Sequence, residues 1–130
     1  MEEEYVNLGT INIELLKEYY EIKTNKLIIT KERIEHINKK HNNDYNLYGD
    51  YILNIVNEPD YILEDVENAN TVLYLKTIEE LNLQVVLKLQ TDDNPEKSNS
   101  IITFWHMRER SYKQIIKKNK KLFEKLDKKE

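Results

Sequence analysis

Along the chain, apolar residues first recur at helical spacing. In "INIELLKEYY" (residues 11–20), Ile11, Leu15, Leu16 and Tyr19 predict an opening helix. "KLIIT" (residues 26–30) is short and β-branched and ends on Thr30, a good helix N-cap, so it reads as a strand running into a helix. A further helix is predicted from about Tyr48 to Val56, closed by the turn "NEPDYI" around Pro59. From Asn70 the period changes to two. "NTVLYLKTI" reads as a strand, and "LQVVLKL" alternates Leu83, Val85, Leu87 and Leu89 against Gln84, Val86 and Lys88. "QTDDNPEKSN" is a connector, "SIITFWHM" a third strand, and a last helix is predicted from about Ser111 to Leu126 on Tyr112, Ile115, Ile116, Leu122, Phe123 and Leu126. Strands joined by loops rather than crossover helices suit antiparallel pairing. The expected fold is α+β: N-terminal helices, then a small antiparallel β-sheet, then a basic C-terminal helix, forming one domain over residues 1–130.

Composition narrows the function classes. The chain is 39% hydrophobic and 34% charged, with no cysteine, which excludes disulfide and thiolate chemistry. The apolar runs are too short to span a bilayer, and "MEEEY" lacks the basic-then-apolar pattern of a signal peptide, so a cytoplasmic location off the membrane is expected. No P-loop, Gly-rich dinucleotide loop or HExxH spacing is present, and neither a cofactor nor a metal is expected. The net charge of −4 conceals an asymmetry: residues 1–100 carry 20 acidic and 10 basic side chains, whereas residues 101–130 carry 4 acidic and 10 basic. A basic face on an acidic body suits a nucleic-acid or acidic-protein partner, although a Lys-rich terminal helix is also a common solubilising face.

The densest cluster of candidate chemistry is "TKERIEHINKKH" (residues 30–41). On a helical projection Ile37 and His41 fall within about 60° of Ile34, while Glu32, Arg33, His36 and Lys40 fall about 100–160° away. The two histidines therefore face apart unless the helix ends by about Lys39 or Lys40 and the chain swings His41 round. One account is purely helical: Glu32 near the positive end of the dipole, a Glu32–His36 pair at i,i+4, and Lys39, Lys40 and His41 at the negative end. The other is chemical. Arg33 and His36 at i,i+3 place a fixed cation beside a group that titrates near neutrality, which suits phosphoryl transfer on RNA. Lys88 is either an edge lysine or a phosphate ligand, and Thr103 could share its face. Trp105 reads as core, His106 as a strand-end residue, and Arg108 and Arg110 as phosphate contacts or the start of the basic helix.

The ordered set "ITKERIEHINKKH", "NEPDYILED", "NTVLYLK", "LQVVLKL" and "NSIITFW" resembles the phage-associated branch of the barnase–EndoU–colicin–RelE nuclease superfamily. The resemblance implies a helical start followed by a small antiparallel sheet, and a metal-independent ribonuclease, often a toxin or mobile-element conflict protein. It lands on Glu32, Arg33, His36, Ile37 and His41 in the first motif and on Asn99, Ser100 and Thr103 in the last. The acidic net charge departs from that of strongly basic ribonucleases. The leading expectation is an endoribonuclease forming a 2′,3′-cyclic phosphate, with His36, His41, Arg33, Lys88 and Thr103 catalytic and Ser100, Arg108 and Arg110 binding substrate. Its partners would be RNA, such as tRNA or mRNA, and a cognate antitoxin or immunity protein. The alternative is an inactive RNA- or protein-binding module on the same fold.

Overall fold

The computed structural model describes residues 4–126. Its centre is a seven-stranded sheet in the order β1-β2-β6-β5-β4-β3-β7. The strands are β1 (Tyr5–Thr10), β2 (Lys26–Thr30), β3 (Tyr61–Glu64), β4 (Thr71–Ile78), β5 (Leu81–Lys88), β6 (Asn99–Met107) and β7 (Lys121–Glu124). The helices are α1 (Lys31–Lys40), α2 (Asp44–Tyr48), α3 (Ile52–Asn57) and α4 (Glu109–Lys118).

This corrects the expected fold class in three places. The described chain opens with a strand, β1, and the predicted helix over residues 11–20 shrinks to one 3₁₀ turn, Ile13–Leu16, capped by the Asn12 side chain. Only Ile11 and Leu16 of its apolar set are buried, while Tyr19 stays exposed, so little packing is available to sustain a longer helix. The sheet is large and mixed rather than small and antiparallel, because β2 lies parallel to β6. The last helix stops at Lys118, and "KLFE" forms β7 against β3. A four-residue segment with two adjacent apolar residues, Leu122 and Phe123, fits either period. The bare edge of β3, with N–H and C=O groups to satisfy, decides for a strand. The Asn119 side chain closes α4 by donating to the Ile115 carbonyl (2.9 Å). The helix foreseen over residues 48–56 is likewise broken by a 3₁₀ turn, Gly49–Tyr51, and Tyr61 and Ile62, the last two residues of the expected turn, already belong to β3.

Both faces of the sheet are covered. On one, Leu83, Val85, Leu87, Ile101 and Phe104 meet Ile37 of α1 and Ile52, Ile55 and Val56 of α3. On the other, Leu63, Leu73, Leu75 and Val86 meet Tyr112, Ile115 and Ile116 of α4. The alternation in β5 thus supplies two buried faces, and even Gln84 is only 2% exposed. A slip in register between Val86 and Leu87 lets β6 gain one residue near Ile102, so Ile101 and Phe104 both reach the first face.

The β1–β2 pair carries its own irregularity at Gly9, where φ is +124° and a Cβ would come within 3.2 Å of the Leu53 side chain. Gly9→Ala should cost about 1–2 kcal/mol through backbone strain. Chemical denaturation reads this directly, and an unchanged midpoint would contradict it.

Candidate active site

The parallel pairing of β2 with β6 covers only Leu27–Asn99 and Ile28–Ser100. Beyond Thr30 the chain leaves the sheet and becomes α1. Thr30 drives the switch: it is extended, and its hydroxyl accepts the Arg33 backbone N–H (3.1 Å) as an N-cap. The two elements fork, and the fork encloses a cleft of about 420 Å³ lined by Thr30, Glu32, Arg33, His36, Ser100, Ile101 and Ile102. Arg33, His36 and Glu32 are exposed on α1, Ser100 is half-buried, and Ile101 forms an apolar floor. The helical account and the chemical account of this stretch are therefore compatible: the polar stripe of α1 is solvated, and it is also one wall of a cleft.

The fork is held at its apex by Asn99, which is fully buried. Its side-chain amide donates to the carbonyls of Thr24 (2.8 Å) and Lys26 (2.9 Å), and its oxygen accepts the Gln90 N–H (2.8 Å). The far end of α1 is held by other means. Asn42 and Asn43 adopt left-handed φ angles of 54° and 66° and turn the chain into α2. Asn38 and Asn46 exchange two hydrogen bonds of 3.1 Å across that turn. The buried Asp44 carboxylate accepts the His106 N–H on β6 (2.9 Å). These bonds pin the α1–α2 pair along the side of β6 that β2 leaves open.

The expected site residues divide by position. Arg33, His36 and Ser100 meet in the cleft. Lys88 lies on β5 directly opposite Ser100, on the same face of the sheet, and is exposed. Opposite side chains in an antiparallel pair stand about 5 Å apart at Cβ, so the lysine can reach the cleft's edge. Thr103 shares that face through its pairing with Val86, but its hydroxyl is buried and has no hydrogen-bond partner. Helix α1 does end at Lys40, yet His41 turns to stack on Trp105, with ring centroids 4.8 Å apart and planes 9° apart, and does not line the cleft. His106 meets Tyr48 edge-on (5.7 Å). Arg108 and Arg110 are exposed at the other end of β6, about 26 Å from Ser100 at the usual strand rise.

Two features escape a reading from sequence. Glu32 lines the cleft with His36, whereas the sequence offers it only as a helix-dipole and ion-pair residue. Asp44, which orients the α1–α2 pair, is an isolated carboxylate whose strand partner lies 62 residues away. Among the described residues, no group of three or more His, Asp or Glu side chains is arranged to hold a metal ion, and no helix is long and apolar enough to cross a membrane.

Desolvation lowers the His41 pKa, opposed by the nearby Asp44 carboxylate and assisted by Lys40 and His36. The sign of the stability effect follows. Below about pH 6.5 the unfolded chain takes up a proton that the folded imidazole resists, so stability is lost as pH falls from there through the lower folded pKa. His41→Phe keeps a ring on Trp105 and removes the proton. Melting curves at pH 8 and pH 5 should show a larger acid loss for the parent than for this variant; equal losses would contradict the assignment.

Residues 6–124 match the family model described as phage-Barnase-EndoU-ColicinE5/D-RelE like nuclease 2, and the chain belongs to that family of phage-related nucleases. No curated protein and no solved structure matches it.

Proposed function

We propose that this nuclease-family protein is an endoribonuclease whose active site is the fork between α1 and β6, and that it cleaves without a metal ion. The observation that carries this reading is the meeting of Arg33, His36 and Glu32 with Ser100 in one cleft, with Lys88 across from Ser100 on the next strand. These side chains supply each part of an internal transesterification. One of Glu32 and His36 takes the 2′-hydroxyl proton while the 2′-oxygen attacks phosphorus. The P–O5′ bond breaks as the new P–O2′ bond forms, and the other group returns a proton to the leaving 5′-oxygen. Arg33 and Lys88 hold the non-bridging oxygens as negative charge builds on them, and Ser100 donates a hydrogen bond to the phosphate. The product strands end in a 2′,3′-cyclic phosphate and a 5′-hydroxyl.

His41 serves a positioning role in this scheme, by anchoring the end of α1 on Trp105. Thr103 lies beneath the substrate face, and Arg108 and Arg110 act outside the cleft. The 2′-hydroxyl requirement limits the substrate to RNA, including tRNA or mRNA. A nuclease of this kind inside a cell would act as a toxin, paired with an antitoxin or immunity protein that covers the cleft.

Purified protein incubated with total RNA in EDTA tests the reading. Cleavage leaving cyclic phosphate ends, with single-stranded DNA left intact, is the expected result. RNA that stays whole, or cleavage of both polymers alike, would overturn it.

A further inference from the structure

An acidic protein that handles a polyanion needs somewhere for the polyanion to rest. The cleft offers only Arg33 and, at its edge, Lys88, against Glu32 and a surrounding body in which residues 1–100 hold twice as many acidic as basic side chains. Residues 108–125 are the opposite, with eight basic side chains and two acidic ones, Glu109 and Glu124.

The fold displays these cations around one edge of the sheet: those of α4 lie on the α4 face, whereas Lys120, paired with Glu64 and set over Tyr19, lies at the β7 edge toward the opposite face. Tyr112, Ile115 and Ile116 turn α4 onto the sheet, so Arg110, Lys113, Lys117 and Lys118 are left exposed on the remainder of the helix. Arg110, Lys113 and Lys117 fall within about 60° of one another, forming a stripe about 10 Å long. Lys113 pairs with Glu109 (3.0 Å) and Lys121 with Glu124 (3.6 Å), while among the described residues Arg110, Lys117, Lys118 and Lys120 make no ion pair. Lys120 is steadied over the Tyr19 ring (5.4 Å). With a Debye length of about 10 Å at 0.1 M salt, acids on the far side of the sheet do little to cancel this field.

The surface also lies at the right place. The Glu64 N–H donates to the Lys120 carbonyl, and the register runs on through Glu64–Val72, Val72–Leu87 and Leu87–Ile101. Lys120 therefore occupies the same rung of the sheet as Ile101 of the cleft, four strand spacings or about 19 Å away. Glu64 shares a face with Val72 and Leu87, on the side of α1 and α3. The neighbouring rung carries Thr71, Lys88 and Ser100 on the α4 side. Asp65 and Glu67, in the β3–β4 turn, Asp92, near Lys88, and Glu64, on the rung itself, flank this route, and Asp60, Glu80 and Glu109 line the pocket beside Lys113 and Lys125.

We propose that the outward face of α4 and the start of β7 form a second nucleic-acid surface, which holds the phosphates of an RNA strand whose scissile bond sits in the α1–β6 fork. The proposal rests on the ribonuclease reading for the identity of the polymer. At a rise of about 3.4 Å per nucleotide, 19 Å corresponds to about six nucleotides. Long strands therefore touch both sites, and a dinucleotide occupies the cleft alone. An acidic protein would find the same cations, but its carboxylates would not need to thread toward Lys88 and Ser100.

The test uses the full chain with Arg110, Lys117, Lys118 and Lys120 all changed to Gln, and a second chain with the three lysines changed to Arg. Binding of a fluorescent 20-nucleotide RNA is followed against salt in the His36→Ala background, which keeps the RNA intact. Neutralising four phosphate contacts should flatten the log–log salt slope by about 3 and weaken binding about 10²-fold or more at 0.1 M salt. The Arg chain should retain the parent slope. With His36 in place, cleavage of a dinucleotide should be the same in the Gln chain and the parent. A salt slope unchanged by the Gln substitutions overturns the surface, whether or not the protein cleaves RNA, and leaves an acidic protein as the partner for these cations. An altered slope in a protein that cleaves no RNA upholds the surface and overturns the cleft.

Discussion

RNA cleavage by the His36→Ala protein should fall about 10²–10⁴-fold relative to the parent, the usual contribution of one positioned proton-transfer group. The expectation follows from the place of His36 rather than from its being a histidine. Three histidines occur in the chain; His41 is committed to Trp105, His106 meets Tyr48 edge-on, and His36 alone lines the cleft with Arg33 and Ser100. Its side chain is solvent-exposed on α1 and makes no core contact, so the substitution should leave stability within about 0.5 kcal/mol. A large loss of rate with an unchanged melting temperature is therefore the signature to look for. Comparable turnover by parent and variant would remove His36 from the chemistry and leave the cleft without its imidazole.

The largest effect on stability should come from Asn99→Ala. This side chain is fully buried and makes three hydrogen bonds, to the carbonyls of Thr24 and Lys26 and from the amide of Gln90. Truncation leaves one buried N–H and two part-buried carbonyls without these partners. Each such orphan costs about 1–3 kcal/mol; allowing for relaxation, we expect a total of about 3 kcal/mol and a melting temperature lower by roughly 10 °C. Asn99→Asp should be worse, because a carboxylate would face two carbonyl oxygens where the amide donated. The consequence extends to function. Asn99 ties the start of β2 to the start of β6, and Ser100 is the next residue, so the fork should widen and cleavage should drop even where the variant is folded. Thermal melts followed by circular dichroism decide the first point; a melting temperature within 2 °C of the parent would show that the bridge is dispensable.

Legibility of the fold varied with the kind of signal. The strand–helix junction at Thr30 was readable because an N-cap leaves a local chemical mark, and the alternation in β5 was readable because period two is unambiguous over seven residues. The segments misread were those whose apolar pattern fits two periods. "INIELLKEYY" has helical spacing but becomes one 3₁₀ turn, and "LFEKL" continues the α4 stripe on paper while Leu122 and Phe123 enter a strand. In both, a tertiary partner outweighed a weak local preference. At the site, the polar face of α1 was legible from its projection. The destination of His41 was not, because Trp105, its stacking partner, lies 64 residues further along the chain.

By itself, then, the sequence determined the alternation that builds β4, β5 and β6, the helix that begins at Thr30, the separation of His36 from His41, and the basic character of residues 108–125. These are properties of neighbours within a few residues of one another, and short-range sterics, hydrogen bonding and charge suffice to set them. Only the tertiary structure decided that β2 should lie parallel to β6 for two residue pairs and then fork, that Asn99 should lock the fork, and that Ser100 should meet Arg33 and His36 in one cleft with Lys88 opposite it on β5. It alone placed Lys120 four strands across the sheet from Ile101 of that cleft. Each of these depends on register between segments tens of residues apart. Such register is set by the burial of two sheet faces and by the pairing of backbone groups at exposed edges, which no local pattern records.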